Sequence, residues 1–457
     1  MRMSQNGGQS RLLQTCSAPS WNDLQRIVEE TSAGADLKEQ IALRETGSGL
    51  PNTDCKVRLF GTNSEPRVVL FRDTAAWCPY CQKVWIQLEE KQIPYRIEKI
   101  NMRSYGDKPR WFLEKVPNGL LPAMELDGEF MTDSMRIMQV LEEAFPEKPM
   151  LPPPGSELRQ RAGQLLQLER NLFYWWCQYC FRPGEGMMGK SKKAFAETLK
   201  EVNDALEMTE GPWFLGGEDP SIVDLAYVTH IERMVASLLY WKGFQIRKTE
   251  YPAIDRWLEA FEQRPSYMAT KSDYYTHVMD IPPQYGPGFF VDGAEPYKNL
   301  IEGNDGSWSL PLPEIEETSL EPCLPTWNDE YSRHHAAYCL INNAEAVVKF
   351  ALRGAGSPGL KGFSAPLADP YAQPNMAFES DIDGILRHVA NALLEGTEAA
   401  GSALGDDLSS EKSQSGAKSL ERCLAYLRDR VGVPRDMPLP AARQLRAHLN
   451  WAIDAIS

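Results

Sequence analysis

Between Arg67 and Phe145 the apolar positions change period several times over short distances. Arg67-Val68-Val69-Leu70-Phe71 is an apolar run with the length and β-branched content of a buried strand. After a turn that holds Cys78, apolar residues at helical spacing, Val84 and Leu88 among them, continue to Ile93. Tyr95 to Ile100 alternates as a strand, and Trp111 and Phe112 mark a short helix. Pro122 precedes a hairpin from Ala123 to Met131, turned at Asp127-Gly128, a dipeptide that tolerates the positive φ angles of a two-residue turn. Asp133-Ser134 opens a further helix that reaches Phe145 and stops at Pro146. The order is strand, helix, strand, helix, hairpin, helix. Its βαβ start requires the first two strands to be parallel, with a right-handed crossover.

Upstream, Trp21 to Glu30 has helical spacing, with Leu24, Ile27 and Val28 on one side, before Gly47 to Asn52 breaks the chain. Downstream, from Glu157 to about Tyr275, the pattern is wholly helical. Its segments are Arg161 to Phe181, which holds Phe173-Tyr174-Trp175-Trp176, then Lys192 to Met208, Leu225 to Tyr240 and Ala253 to Gln263. Ile281 to Pro325 is rich in Pro, Gly and acidic residues and shows no period, as expected of a linker. Helical spacing resumes at Thr326, as Trp327 to Arg353, Asp381 to Leu394, Leu420 to Val431 and Ala441 to Ile456. Gly354 and Gly432 stand where C-caps belong, and Pro440 suits a first helical position. The polar, small-residue stretch Gly396 to Ala417 reads as a disordered insertion. No internal repeat is present. The chain thus divides into an N-terminal extension (1–65), an α/β domain (66–150), an all-helical domain (155–280), a linker (281–325) and a helical C-terminal domain of unknown role (326–457). The last has apolar stripes of its own. It is expected to pack separately, so that a chain ending after about Gln284 stays soluble.

The length of 457 residues suits two to four domains with real cores. An apolar share of 42% with 24% charged residues is ordinary for a soluble protein, and no run approaches the roughly 18 apolar residues of a membrane span. A formal charge of -15 argues against nucleic acid as a partner, since phosphate binding needs a basic surplus. Nine scattered cysteines, an odd number, fit a reducing intracellular compartment, chloroplast or cytoplasm, better than a disulfide scaffold. Met1 to Ser20 contains no acidic residue, which is compatible with an organelle transit segment and equally with a disordered start.

Cys78-Pro79-Tyr80-Cys81 carries the chemistry. A Cys-x-x-Cys just after a strand, at the start of a helix, is a thioredoxin-like redox signature. The thiolate is the nucleophile, and helix N-terminal amides lower a thiol pKa to roughly 3.5–7.5 in such sites. Pro79 fits the first turn because it lacks an amide hydrogen. Cys81, one turn further in, is placed to attack a mixed disulfide on Cys78. The bland alternative is a pair of unreactive core cysteines.

The motif is identical to that of dithiol glutaredoxins, and the surrounding residues resemble a glutathione transferase of the cysteine-active type. Lys108-Pro109-Arg110-Trp111-Phe112, followed by Gly119-Leu120-Leu121-Pro122-Ala123-Met124-Glu125, is similar to the omega class. Asp133-Ser134 stands where that family has its acidic residue and serine, and Ser221-Ile222-Val223-Asp224 resembles the capping box of its C-terminal domain. The likeness covers about Val68 to Tyr275. With the extra helical tail it points to the iota class of photosynthetic organisms. The resemblance implies a thioredoxin-like domain followed by an all-α transferase domain and an additional helical module. It implies glutathione as co-substrate, with no metal. The glutathione contacts it implies are Pro79, Tyr80, the backbone of Leu121 before a cis Pro122, Lys108 toward the glycyl carboxylate, and Asp133 and Ser134 toward the γ-glutamyl group. The reaction it implies is thiol transfer through a Cys78–glutathione mixed disulfide, acting on glutathionylated small molecules or proteins, with dehydroascorbate as a further acceptor. Conjugation to electrophiles is expected to be weak.

Two other readings stand beside it: reduction of glutathionyl-quinones by the same thiol, and a non-catalytic module that binds a hydrophobic ligand while its tail docks a partner. Oligomeric state and the tail's partner are left open. Cys177 and Cys180, three apart on the aromatic helix, share a face. They read as core cysteines beside the acceptor pocket rather than as half of a four-thiolate metal site. Trp175, Trp176 and Tyr179 read as core or pocket lining. His334, His335, His388 and His448 read as surface or satisfied core positions, and Gly184-Glu185-Gly186 lacks a phosphate-loop pattern.

Overall fold

A computed structural model describes residues 13, 16–183, 185–359, 366–408 and 414–457. Two helices come first, α1 (Trp21–Glu30) and α2 (Ser32–Glu45), capped by the hydroxyls of Ser20 and Thr31, which accept the amides of Asp23 and Gly34. The α/β unit follows as β1 (Val57–Arg58), β2 (Val68–Asp73), α3 (Pro79–Lys91), β3 (Tyr95–Ile100), α4 (Arg110–Lys115), β4 (Ala123–Leu126), β5 (Glu129–Thr132) and α5 (Ser134–Ala144). Its five strands form one sheet in the order β1-β3-β2-β4-β5. β2 and β3 are parallel, with Val68 opposite Tyr95 and Asp73 opposite Ile100. β4 runs antiparallel to β2 and forms a hairpin with β5. Asp127 (φ 52°) and Gly128 (φ 87°) both take the left-handed conformation that this two-residue turn demands. The two-residue β1, too short to show a period in sequence, pairs antiparallel with β3.

Alternation along β2 sends its side chains to two faces. Val68 and Leu70 join Val84, Leu88, Ile137 and Leu141 of α3 and α5 in one core. Phe71 and Val69 join Ile100, Phe112 and Val116 in a second. The first core is continuous with the helical half, made of α6 (Glu157–Phe181), α7 (Glu185–Glu207), α8 (Ile222–Lys242), α9 (Pro252–Glu262), α10 (Pro265–Met268), α11 (Tyr274–Tyr285) and α12 (Glu295–Glu302). Helix α8 is buried along its whole length and packs on α3, α6 and α11. At its start Asp224 accepts from the amide (2.8 Å) and hydroxyl (2.6 Å) of Ser221, from the Phe214 amide (3.0 Å) and from Trp257 Nε1 (3.0 Å), so the capping box also ties down α9.

The segment 281–325 differs from the expected linker. α11 continues through Pro282 and Pro283 to Tyr285, α12 lies on α8, and Ala294, Ile301 and Trp308 are buried. The tail contains α13 (Asp329–Asn342), α14 (Ala344–Ala351), α15 (Glu379–Glu395), α16 (Thr397–Asp407), α17 (Gln414–Arg428) and α18 (Leu439–Ile456). The expected helix 327–353 is therefore two helices, and part of the stretch expected to be disordered is α16; residues 409–413 lie outside the described residues, as do residues 1–12, 14 and 15 of the transit-like segment and Gly184. Gly354 is no C-cap. It sits in a 3-10 turn, Leu352–Ala355, packed so closely on α17 that a Cβ would lie 2.2 Å from the Arg422 carbonyl oxygen.

The tail's core includes Leu24 and Val28 of α1 beside Ile341, Val389, Leu424 and Leu449. Polar ties reinforce it: the Leu13 amide donates to Asp381 Oδ1 (2.9 Å), the Ser17 amide to Asp407 Oδ2 (2.6 Å) and Trp21 Nε1 to Asp383 Oδ1 (2.8 Å). The first helices thus complete the tail rather than stand apart. Tail and helical half meet where Arg446 Nη1 donates to Asp273 Oδ2 (2.7 Å, both buried) and the Val433 amide donates to Thr276 Oγ1 (3.0 Å).

Candidate active site

The β2–α3 turn is held from below by a buried carboxylate. Asp73, the last residue of β2 and 1% exposed, accepts the amides of Trp77 (2.7 Å) and Cys78 (3.1 Å) on one oxygen. This fixes Cys78 as the N-cap of α3, with Pro79 in the first turn. Cys78 is half-buried, and its sulfur lies 3.8 Å from the carbonyl oxygen of Leu121. Cys81, 1% exposed, hydrogen-bonds to Cys78, and burial first, then that contact, pushes its thiol well above the ordinary value. The two thiols are therefore unequal: Cys81 is fully buried and keeps its proton, whereas Cys78 is half-buried.

Leu121 precedes a cis Pro122 across from the thiol, as the resemblance implied. Asp133, exposed with φ 73°, caps α5 by accepting the Arg136 amide (3.0 Å), and Ser134 is buried as the first residue of that helix. Tyr80 is partly buried, bonded to Tyr285 and edge-on to His230 at 5.5 Å between ring centroids; burial raises its phenol. Lys108 donates to the carbonyl of Asn101; burial lowers its ammonium, opposed by the charges of Cys81, Cys78 and Asp73. A second cation appears that the sequence reading lacks. Lys83, 4% exposed, places Nζ 3.7 Å from Met135 Sδ and 5.1 Å from the centre of the Tyr80 ring. Burial lowers its ammonium too, opposed by Glu169, Asp133 and Cys78. Its signal in sequence was spacing alone: three residues after Tyr80 on one helix face.

Helix α8 grips the same turn. Arg233, buried over the Trp77 ring at 4.6 Å, donates to the Trp77 carbonyl, to Gln82 Oε1 (3.0 Å) and to Glu232 Oε1 (2.7 Å). Trp77 Nε1 in turn donates to His277 Nδ1 on α11 (3.1 Å), and burial holds that imidazole well below its usual value and so neutral. Asp73, Lys83, Arg233 and His277 are all absent from the sequence reading.

Trp176 and Tyr179 are core residues, with Trp176 Nε1 donating to Ser237 Oγ (2.9 Å). Burial pushes the Cys177 thiol up to about 12 and raises Cys180 as well. Among the described residues, two sets of three metal-donor atoms lie within 4.8 Å of one another: Asp73, Cys78 and Cys81, and Cys16, His388 and Asp407. In each the carboxylate already serves protein donors, Asp407 Oδ2 accepting the Ser17 amide, the Ser17 hydroxyl (2.9 Å) and His388 Nε2 (2.8 Å). Cys177 and Cys180 join neither set.

Residues 77–144 match the family model of the glutathione S-transferase N-terminal domain, and residues 170–260 match that of its C-terminal domain. Glutathione S-transferase DHAR2 of Arabidopsis thaliana is 28% identical over 200 residues, 44% of this chain and 86% of that protein. Glutathione S-transferase L3 of the same plant is 30% identical over 202 residues, 44% of this chain and 81% of its own length. Mouse (Mus musculus) glutathione S-transferase omega-1 is 27% identical over 212 residues, 44% of this chain and 80% of its own. Its α/β unit, its helical half and these relatives together show that the chain belongs to the glutathione S-transferase family.

Proposed function

We propose that this protein is a glutathione-dependent thiol transferase of the cysteine-active type, nearest the iota class, which the helical tail behind the two matched domains supports. One observation carries the reading: the sulfur of a half-buried Cys78 at the head of α3, 3.8 Å from the Leu121 carbonyl, with a buried thiol hydrogen-bonded behind it. Cys78 stands at the N-terminus of α3, and Lys83 and Lys108 both interact electrostatically with it. The Leu121 backbone offers an edge for the cysteinyl part of glutathione, the start of α5 faces its γ-glutamyl end, and Lys108 serves its glycyl carboxylate. Cys78 thiolate attacks the glutathionyl sulfur of a mixed disulfide. The Cys78–glutathione bond forms, the acceptor sulfur leaves as a thiolate and takes a proton. A second glutathione thiolate then attacks the adduct, releasing oxidised glutathione and restoring Cys78. The net change is one mixed disulfide and one glutathione to one thiol and one glutathione disulfide. Likeness to the DHAR-named transferases supports dehydroascorbate as a further acceptor, reduced by two glutathiones to ascorbate. The scattered, odd-numbered cysteines support a reducing compartment.

Reduction of a glutathionylated peptide separates the roles. Cys78→Ser should lose on the order of 10³-fold or more of activity, since a hydroxyl is no anionic nucleophile at neutral pH. Cys81→Ser should keep most of it while glutathione is present. Absence of a glutathione adduct on Cys78 by mass spectrometry, after treatment with glutathione disulfide, would sink the assignment.

A further inference from the structure

Helix α15 offers a seat to the start of the chain. Asp381, Gly384 and His388 follow one another at spacings of three and four and so share a face. The Leu13 amide meets Asp381 at one end of that face, and the Cys16 thiol donates to the Gly384 carbonyl (3.8 Å). A Cβ at position 384 would stand 2.4 Å from Leu13 Cδ2 and 3.4 Å from Cys16 Sγ, so glycine leaves the room that this segment fills. One turn further along, His388 Nε2 meets Asp407 Oδ2 at 2.8 Å, and the same oxygen accepts the Ser17 amide (2.6 Å) and hydroxyl (2.9 Å). Residues far apart in sequence thus bring a thiol, an imidazole and a carboxylate together, outside both matched domains.

One donor atom each from Cys16, His388 and Asp407 lies within 4.8 Å of the other two. Ligand atoms of a tetrahedral zinc site stand about 3.5 Å apart, so small shifts bring these three to bonding distance. A set of sulfur, nitrogen and oxygen suits zinc and is foreign to magnesium and calcium, which take oxygen alone. His388 is fully buried, Asp407 is buried and Cys16 is half-buried. Burial lowers the imidazole, opposed by Asp407, which keeps it neutral with a lone pair to give. Its Nδ1 is buried with no hydrogen-bond partner among the described residues, a ring nitrogen that the fold itself leaves unused. A thiolate and a carboxylate match the charge of a divalent ion. Arg387, the cation that acts on Cys16, is ion-paired with Asp383 (3.2 Å). The cluster at Asp73 differs, because its carboxylate holds backbone amides of the β2–α3 turn; at Asp407 one donor is the imidazole itself, whose shared proton a cation can replace. We propose that Cys16, His388 and Asp407 bind a zinc ion, with water as the fourth ligand, and that this ion fastens the start of the chain to the helical tail. Binding releases the thiol proton to solvent, and the imidazole carries its own proton on the nitrogen away from the ion.

The test titrates cobalt(II), a spectroscopic stand-in for zinc, into the metal-free full chain and reads the thiolate-to-cobalt charge-transfer band. The active-site thiols are removed first, as Cys78→Ser/Cys81→Ser, so that they cannot supply the band. This chain is expected to take up one cobalt ion with a thiolate band, which zinc abolishes by displacement and excess magnesium leaves in place. Adding Cys16→Ser should remove the band, and adding His388→Gln, whose amide can still donate to Asp407, should weaken cobalt binding on the order of 100-fold. In the otherwise native chain, zinc should raise the melting temperature of the wild type and leave that of Cys16→Ser where it was, while both reduce a glutathionylated peptide at the same rate. Metal-free Cys16→Ser and wild type should melt together, which separates a lost ligand from a lost fold; if they do not, the His388→Gln titration decides. Absence of a thiolate band from the Cys78→Ser/Cys81→Ser chain, a band that survives Cys16→Ser, or unchanged cobalt affinity in His388→Gln would each overturn the proposal.

Discussion

At Cys78 the chain gathers charge around sulfur and leaves the second sulfur dry. Lys83 has its stem buried and its ammonium beside the Tyr80 ring and Met135, a position that burial alone disfavours. It persists among the negative charges of Glu169, Asp133 and Cys78. If it acts on the thiolate, its removal must destabilise the anion and move the thiol pKa upward. For Lys83→Met we expect the pH dependence of Cys78 alkylation by iodoacetamide to shift upward, because the ammonium interacts with Cys78 and its removal leaves that sulfur without it. An unshifted profile would mean that Lys83 is a packing residue. Residues of this kind explain what was legible. Cys78 and Cys81 announce themselves because two thiols at one helix start have few other uses. Asp73 and Lys83 look like any strand-end carboxylate and any helix lysine; only the third dimension turns them toward the sulfur.

The same division holds for whole elements. β2, β3, the hairpin and α5 were readable because short alternating runs are bounded by Asp127-Gly128, Pro122 and Asp133-Ser134, each with its own backbone requirement. α2, α10 and α12 were not. Their stability comes from neighbours rather than from a continuous apolar stripe, and α11 carries Pro282 and Pro283 inside it, where sequence reads a stop. The contact between α3 and α8 was equally hidden, although it positions the chemistry. Arg233 satisfies the Trp77 carbonyl and Gln82 and neutralises the buried Glu232, whose other oxygen accepts from Tyr267 (2.8 Å). Arg233→Met removes one partner of a buried pair and strands the other, which costs about 3–5 kcal/mol. The urea midpoint should fall accordingly. A variant that unfolds at the wild-type midpoint would show that α8 does not hold the turn.

At the scale of the whole molecule, buried carboxyls join distant segments and make stability depend on pH. Asp280 on α11 accepts the Tyr105 hydroxyl on both oxygens (2.8 and 3.0 Å), and burial pushes its pKa up to about 7. In the unfolded chain it titrates near 4. Between those values the folded protein holds a proton that the unfolded chain releases. Stability from this group is fully present below about pH 4 and is lost as pH rises through about 7. The buried histidines with lowered values act in the opposite sense, so the clean measure is a difference. Asp280→Asn should raise the melting temperature relative to wild type more at pH 8 than at pH 5, and an equal effect at both would contradict the burial account. The joint between tail and helical half sets the last expectation. Ending the chain after Gln284 removes Arg446 from Asp273, strips Val433 from Thr276 and takes away α12, which covers α8. It also leaves Leu24 and Val28 of α1, fully buried in the tail's core, with nothing to pack against. A soluble truncated protein, expected from sequence alone, therefore needs both ends removed. A chain of residues 1–284 should aggregate, whereas residues 46–284 should stay in solution and keep thiol transfer, with a lower melting temperature than the full chain because Asp273 is stranded. Size-exclusion chromatography and thermal melts of the two truncations beside the full chain decide it. If residues 1–284 run as a monomer that melts with the full chain, the first helices and the tail do not share a core in solution.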